Sequence, residues 1–315
     1  MIPSGPEAAV VLLELLPAGI AGFLAQMIDG ALGMGYGVTS ASLLLATGMA
    51  PAVVAATVKF AQLGTTLASG ASHWQARNVD GRIVARLALP GGLGALAGAT
   101  VLSSLSLQAA APVMSALLLI LGILVMIRFV TRRSRPVTTD GASPRRGLLV
   151  PLGLVGGLVD STGGGGWGPV VTSTLLTSSR TAPRTVIGSV ATAEFVVTVC
   201  ASIGFLLGLG LDRVSLGLTL ALMIGGVLAA PLAARLAGRL PAGILGVLVG
   251  SLIITLNLGP TLSGLPVPAP ARLAVQTGAA LACLLLLAAA LRRHRASRAV
   301  PAGADEAVPS LPVPS

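Results

Sequence analysis

The sequence predicts an all-α integral membrane protein made of two inverted repeats, each containing a helix that is broken at a duplicated Gly-rich motif. Of the 315 residues, 54% are hydrophobic and 10% are charged, and the mean hydropathy is +0.93, which is not the balance of a soluble domain. A motif of one aspartate and several glycines occurs twice between apolar stretches. The apolar stretches correspond to about 8 to 11 membrane segments, five in each half and one more at the end.

The two copies of the motif read DGALGMGYG at residues 29–37 and DSTGGGGWGP at residues 160–169. Matched residues are 131 positions apart: Asp29 with Asp160, Gly33 with Gly164, Gly35 with Gly166, Tyr36 with Trp167, and Gly37 with Gly168. Further along, the separation becomes 132 and pairs Pro51 with Pro183 and Gln62 with Glu194. A separation that holds over tens of residues indicates that the two halves arose by duplication.

Each glycine run predicts a break in a helix, because glycine tolerates positive φ and leaves the backbone amides unshielded. In a membrane, irregular backbone survives only inside the protein or beside a water-filled cavity. The alternative is a pair of loops outside the bilayer, but the close apolar flanks and the aspartates favour a buried binding site. The candidate substrate-binding residues at the breaks are Gly33, Gly35, Tyr36, Gly37, Gly164, Gly165, Gly166 and Trp167.

The chain divides at its one long hydrophilic connection, which is rich in arginine and turn-forming residues. The second half then restarts with a helix, a break and a helix. The last stretch is basic and then rich in proline and alanine, so we expect it to be disordered. The predicted divisions are a first repeat at 1–130, a cytoplasmic linker at 131–146, a second repeat at 147–262, a C-terminal membrane helix at 263–291 and a cytoplasmic tail at 292–315.

The net charge of +10 comes from 19 arginines and a single lysine set against ten acids. The arginines cluster in short connections, which indicates topology determinants and does not indicate nucleic-acid binding. Five segments per half place the halves in opposite orientation. The arginine-rich connections then all face the cytoplasm if the N-terminus is outside and the C-terminus is inside, with Arg213 and Arg272 as the exceptions.

Four ionisable residues lie within apolar stretches: Asp29, Lys59, Asp160 and Glu194. Charges at bilayer depth are costly, so they line a pathway or pair with one another. Lys59 shares a helical face with Gln62, whose counterpart in the other half is Glu194. Lys59 and Gln62 are therefore candidate substrate contacts, and the three acids are candidates for proton coupling or for an ion pair. A structural pair of Lys59 with Glu194 or Asp29 is the alternative.

Free amides at the breaks, helix N-termini and neighbouring hydroxyls together describe a site for an oxyanion. No nucleotide-binding motif is present to supply energy, which favours secondary transport. Cys200 and Cys283 are isolated in apolar segments, so we expect neither a metal site nor a cofactor. The expected partners are the lipid bilayer and a small anion, and a homo-oligomer is compatible with the sequence.

The motif at residues 159–176, together with VIGSV at 186–190 and AEF at 193–195, resembles the TauE/SafE family of sulfite and organosulfur anion transporters. The first half is similar at residues 28–40 and 70–80, and the resemblance covers roughly residues 8–260. It implies a multi-pass permease of the bacterial inner membrane that exports a small oxyanion such as sulfite or an organosulfonate. This sequence departs from the family at Gln62, where close relatives tend to carry an acid, and near Lys59, where histidine is common.

Two other functions are alternatives to transport. An intramembrane aspartyl protease would use Asp29 and Asp160, because two carboxyl groups that share a proton can cleave peptides. A membrane assembly protein with no transported substrate would leave the buried charges without a purpose.

Overall fold

The computed structural model describes residues 6–32, 34–131, 146–178, 181–236 and 242–299. These residues form helices and short connections with no strand, so the prediction of an all-α fold is confirmed. The helices are α1 (Pro6–Leu32), α2 (Tyr36–Ala46), α3 (Pro51–Gln75), α4 (Gly81–Ser104), α5 (Leu107–Thr131), α6 (Arg146–Thr162), α7 (Ser173–Ser178), α8 (Pro183–Leu209), α9 (Leu216–Leu236), α10 (Ala242–Ser263) and α11 (Ala269–Ala299).

The predicted helix breaks are confirmed at both motifs. In the first half, α1 ends at Leu32 and α2 begins at Tyr36. In the second half, α6 ends at Thr162, and the chain resumes as a π-helical turn over Gly168–Thr172 that leads into α7. Gly35 has a φ of 125° and Gly164 a φ of 72°, so each break contains a glycine in a conformation that other residues rarely adopt.

Among the described residues, five helices are long and apolar enough to cross a membrane, and they are α4, α5, α8, α10 and α11. Shorter apolar stretches lie in the two helices that precede the breaks, in α2 and in α9. The helix α3, which carries Lys59 and Gln62, belongs to neither group. Several spans, together with helices that stop within the apolar region, describe a multi-pass membrane protein.

Glycines let the helices cross at short distance, as is common in membranes. The helix α1 packs against α9, where a side chain at Gly225 would overlap the carbonyl oxygen of Gly19. The helix α4 packs against α6, where a side chain at Gly157 would overlap the carbonyl oxygen of Gly91. The first helix of each half therefore packs against the fourth helix of the other half. Reciprocal packing of this kind is expected for two related halves, and their opposite orientation stays a prediction.

Helix α5 ends at Thr131 and α10 ends at Ser263, and the division of the chain into two repeats at these points stays a prediction. The central part of the predicted linker, residues 132–145, lies outside the described residues. The predicted start of the tail is wrong, because α11 continues without interruption from Ala269 to Ala299. The alanines among its arginines favour helix, which the compositional argument for disorder did not consider. Residues 300–315 lie outside the described residues.

Candidate functional site

The second break is organised by Asp160, which lies near the end of α6 and is 1% exposed. Its Oδ1 atom accepts hydrogen bonds from the backbone amides of Gly166 at 2.7 Å and Trp167 at 3.1 Å. Asp160 thus caps the helical stretch that follows the glycine run. The expectation that these amides are free is wrong for this conformation, because the aspartate in the motif satisfies them.

The first break repeats this arrangement in a weaker form. Asp29 Oδ1 accepts one hydrogen bond, from the amide of Tyr36, at 3.2 Å. Tyr36 matches Trp167, so the duplication preserved the contact between the aspartate and the restarting helix. Asp29 is less buried than Asp160. Gly33, which we expected to contact substrate, lies outside the described residues.

The Lys59 ammonium forms an ion pair with the aspartate of the second break. Lys59 Nζ lies 2.5 Å from Asp160 Oδ2, and both side chains are buried at 0% and 1% exposure. The alternative prediction, in which Lys59 forms its ion pair with Glu194 or Asp29, is wrong, because the ion pair is formed with Asp160. The lysine lies on α3 and the aspartate at the break after α6, a pairing that the matched positions of the two halves did not indicate.

Gln62 connects this ion pair to Glu194. Its Oε1 atom accepts a hydrogen bond of 2.8 Å from Lys59 Nζ, and its Nε2 atom donates one of 3.4 Å to Glu194 Oε1. The predicted proximity of the faces of α3 and α8 is therefore present, with the amide standing between the lysine and the second acid. The four side chains form one polar chain across the apolar interior: Asp160, Lys59, Gln62 and Glu194.

Several buried hydroxyls beside this polar chain have no hydrogen-bond partner among the described residues, and they include Thr57, Ser161 and Thr198. Thr57 lies two positions before Lys59, Ser161 directly follows Asp160, and Thr198 lies one helical turn after Glu194. Buried polar groups normally find a partner in the protein, in water or in a ligand. The hydroxyls are therefore available to a polar ligand.

The two breaks contact each other through backbone. A Cβ atom at Gly37 would lie 2.6 Å from Gly165 Cα, and one at Gly165 would overlap the backbone of Gly37 and Val38. Gly164 is also enclosed, because an added Cβ would lie 2.7 Å from the Ala41 side chain. The two breaks therefore lie against each other, as predicted. The contact leaves no room for an anion between Gly37 and Gly165 in this conformation.

The aromatic residues of the motif anchor the breaks to neighbouring helices. The Trp167 side chain is fully buried, and its Nε1 atom donates to the carbonyl oxygen of Val190 at 3.1 Å. Tyr36 donates its hydroxyl to the carbonyl oxygen of Leu222 at 3.2 Å. Both rings are therefore packed in the core in this conformation, and neither contacts the side chain of Lys59, Asp160 or Glu194 through a described hydrogen bond.

Two residues at the breaks were missed from the sequence. Arg128 Nη1 donates to Ser173 Oγ at 2.5 Å and lies 3.3 Å from Met34 Sδ, so it connects the two halves. It lies within the predicted first repeat, next to the arginine-rich linker, and no sequence signal indicated this contact. Asn257 Nδ2 donates to Ser42 Oγ at 2.9 Å. A lone amide in an apolar helix is a recognisable signal for a contact between helices, and it could have indicated this one.

Comparison with known proteins identifies the family. Residues 18–259 match the family described as "Sulfite exporter TauE/SafE", and the chain belongs to this family of membrane transporters. It is similar to the Bacillus subtilis (strain 168) protein named "Probable membrane transporter protein YtnM", with 46% identity over 244 residues, or 78% of this chain and 81% of that protein. No solved structure matches the chain. The family and the relative are transporters, which agrees with the prediction of a non-enzymatic function.

Proposed function

We propose that this protein is a secondary active transporter that exports a small oxyanion, such as sulfite or an organosulfonate, across the bacterial inner membrane. The observation that carries the proposal is the buried Lys59, held by the carboxylate of Asp160. A buried cation among unpartnered hydroxyls is suited to binding an anion. The family description, "Sulfite exporter TauE/SafE", supports sulfur oxyanions as the substrate class.

In this proposal the carboxylate of Asp160 and the substrate compete for Lys59. Asp160 is held as a bound anion would be, with one oxygen facing two amides and the other facing the ammonium. Protonation of Asp160 removes its charge and releases the ammonium. An oxyanion can then take the vacated partner position and the nearby hydroxyls. The competition couples binding of the anion to binding of a proton.

Glu194 provides a second group for the proton in this scheme. It faces Lys59 through the amide of Gln62, so the charge of either acid is felt along the polar chain. We expect relatives to carry an acid at the position of Gln62. In this protein the residue is a neutral amide, so the polar chain contains one lysine and the two carboxyl groups of Asp160 and Glu194. We infer that the protonation of Asp160 and the protonation of Glu194 are linked, because both acids interact with the same ammonium. Release of the substrate then depends on the protonation states of both acids.

Alternating access would come from movement of the two halves against each other around the contact between the breaks. Gly37 and Gly165 give this contact a backbone surface without side chains that could interlock. The proposed orientation has the N-terminus outside and the C-terminus in the cytoplasm. It places the arginine-rich connections on the cytoplasmic side.

The protease alternative is less well supported by the geometry. A catalytic pair of aspartates needs two carboxyl groups close enough to share one proton. Asp160 instead pairs with Lys59, and Asp29 and Asp160 each accept hydrogen bonds from their own break.

The function is tested by uptake of radiolabelled sulfite, methanesulfonate and thiosulfate into inverted vesicles with an imposed proton gradient. We expect at least one anion to accumulate with the native protein and to accumulate little with Lys59→Met at equal protein level. Equal uptake by vesicles with and without the protein, for all three anions, would refute the proposal. Reporter fusions at Gly141 and Ala302 test the orientation, and both should report the cytoplasm.

A further inference from the structure

A cavity of about 310 Å³ lies among the ends of four helices, and neither Lys59 nor Asp160 lines it. It is bordered by the start of α3, the end of α4, the start of α5 and the end of α8. The residues that line it are Ala50, Pro51, Ala52, Val53, Ser103, Leu105, Ala110, Gly208, Leu209 and Arg213. We call it the Arg213 cavity, since the arginine is its only charged lining residue.

Arg213 is one of two arginines that the charge distribution leaves on the outer face. The other, Arg272, donates from Nε to the carbonyl oxygen of Val267 at 2.8 Å and does not line the cavity. Arg213 forms no ion pair with any residue that the structure describes, and neighbouring Asp212 does not line the cavity. A guanidinium without a carboxylate partner, at a cavity large enough for a small ion, favours an anion as the occupant.

The start of α3 adds to the positive field of this cavity. Ala50 precedes the helix, and no side chain caps its first turn. Ala52 and Val53, which occupy that first turn, line the cavity. Uncapped amides in the first turn of a helix carry partial positive charge. The cavity therefore combines a guanidinium with the positive end of the helix that also carries Lys59.

Two helices, α3 and α5, lead from the Arg213 cavity towards the ion pair and the second break. Val53 lies six residues before Lys59 on α3, about 9 Å along the helix axis. On α5, Ala110 lines the cavity, and Met114 lies one turn further along the same face. Met114 is fully buried, and a Cβ atom at Gly164 would lie 2.9 Å from its Cε atom. The flexible side chain of Met114 therefore connects the α5 part of the cavity wall to the second break.

We propose that the Arg213 cavity is an anion-binding vestibule, where a small oxyanion is held between the outside solution and the Lys59 site, with Met114 as the side chain that separates the two. The proposal rests on the proposed function for its place in transport. It explains why an arginine is kept on the face where the charge distribution otherwise excludes arginine.

Thiol labelling tests the site without requiring transport. In a Cys200→Ala, Cys283→Ala background, Ser103→Cys places a thiol in the cavity, and Ser104→Cys places one on the neighbouring exposed position outside it. The purified protein in detergent is treated with an anionic sulfonate-bearing methanethiosulfonate and with its cationic trimethylammonium analogue. Both faces are accessible in detergent, so the outcome does not depend on the orientation. Ala52→Cys is a second probe position if Ser103→Cys does not fold.

We expect Arg213→Gln to lower the anionic-to-cationic rate ratio at Ser103→Cys about five- to tenfold, the effect of one unit charge at several Å in water. Arg213→Lys should retain the ratio, and neither Arg272→Gln nor the Ser104→Cys position should change it. Methanesulfonate should protect Ser103→Cys from the anionic reagent only when Arg213 is present. An unchanged ratio in Arg213→Gln, or equal protection without the arginine, would overturn the proposal.

A transport measurement separates the vestibule from the proposed function. Arg213→Gln should raise the KM for the transported anion with little change in kcat, and Arg213→Lys should restore it, because the vestibule collects substrate and takes no part at the Lys59 site. If no anion is transported by any variant while labelling still depends on Arg213, the proposed function fails and the binding site stands. Unchanged KM alongside active transport would overturn the vestibule.

Discussion

The two helix breaks carry matched copies of one motif, yet their aspartates make different contacts. Asp160 is buried, accepts two amide hydrogen bonds and pairs with Lys59, whereas Asp29 is partly buried and accepts one, from Tyr36. The shared contact with the restarting helix is therefore the structural part of the motif. Among the described residues, the ion pair with the Lys59 ammonium is found at the second break and not at the first. The difference teaches that the hydrogen bond from the restarting helix to the aspartate is common to both breaks, whereas the ion pair with Lys59 is found at the second break.

The largest effect is expected from Lys59→Met, which leaves Asp160 buried and without its cation. Removing one partner of a buried ion pair costs about 3–5 kcal/mol of unfolding free energy, and the anion loses its partner as well. We expect a strongly lowered melting temperature and no measurable transport. The double variant Lys59→Met with Asp160→Asn should regain stability and stay inactive. Recovery of transport in the double variant would show that the pair is purely structural.

A smaller loss is expected where the two breaks meet. Gly165→Ala places a methyl group against the backbone of Gly37, and overpacking of this kind costs about 1–3 kcal/mol. Gly37→Ala should have a similar effect from the other side of the contact. Gly243→Ala is the matched control, because a Cβ atom there meets nothing within 4 Å. Thermal unfolding and uptake in the three variants check the prediction, and equal behaviour of Gly165→Ala and Gly243→Ala would contradict the described contact.

The smallest effect on stability is expected from Glu194→Gln, because the shape is kept and Gln62 remains as a hydrogen-bond partner. Transport should continue with an altered pH dependence, since one of two linked proton-binding groups has been removed. Initial uptake rates across a range of pH, compared with those of the native protein, measure this. A pH profile that coincides with the native one would exclude Glu194 from proton coupling.

The sequence predicted more features of the fold correctly than features of the candidate site. Apolar stretches and the matched aspartates and glycines are local signals, and the structure has breaks and helices where they indicated. The partner of Lys59 is a tertiary contact between residues 101 positions apart. The sequence suggested Glu194 as the partner of Lys59, because Glu194 matches Gln62, which shares a helical face with Lys59. Matched positions do not show which acid lies nearest to the ammonium.

The prediction of free amides is wrong for a related reason. A glycine run signals unshielded backbone, but it does not show that the aspartate of the same motif folds back onto Gly166 and Trp167. Asp followed by a glycine run and a helix start could have been read as a capping arrangement. Arg128 could not have been separated from its basic neighbours, because its contacts with Met34 and Ser173 come from the arrangement of three helical elements.

The central claim, that Asp160 and the substrate compete for Lys59, is tested most directly by anion affinity. Binding of methanesulfonate, whose charge is constant over the working range, is measured by calorimetry against pH for the native protein, Asp160→Asn and Asp29→Asn. Native affinity should rise as pH falls, because protonation of Asp160 frees the ammonium. Asp160→Asn should bind more tightly at neutral pH and keep only the weaker pH dependence that Glu194 contributes, while Asp29→Asn keeps the native profile. Weaker or unchanged binding in Asp160→Asn would contradict the competition.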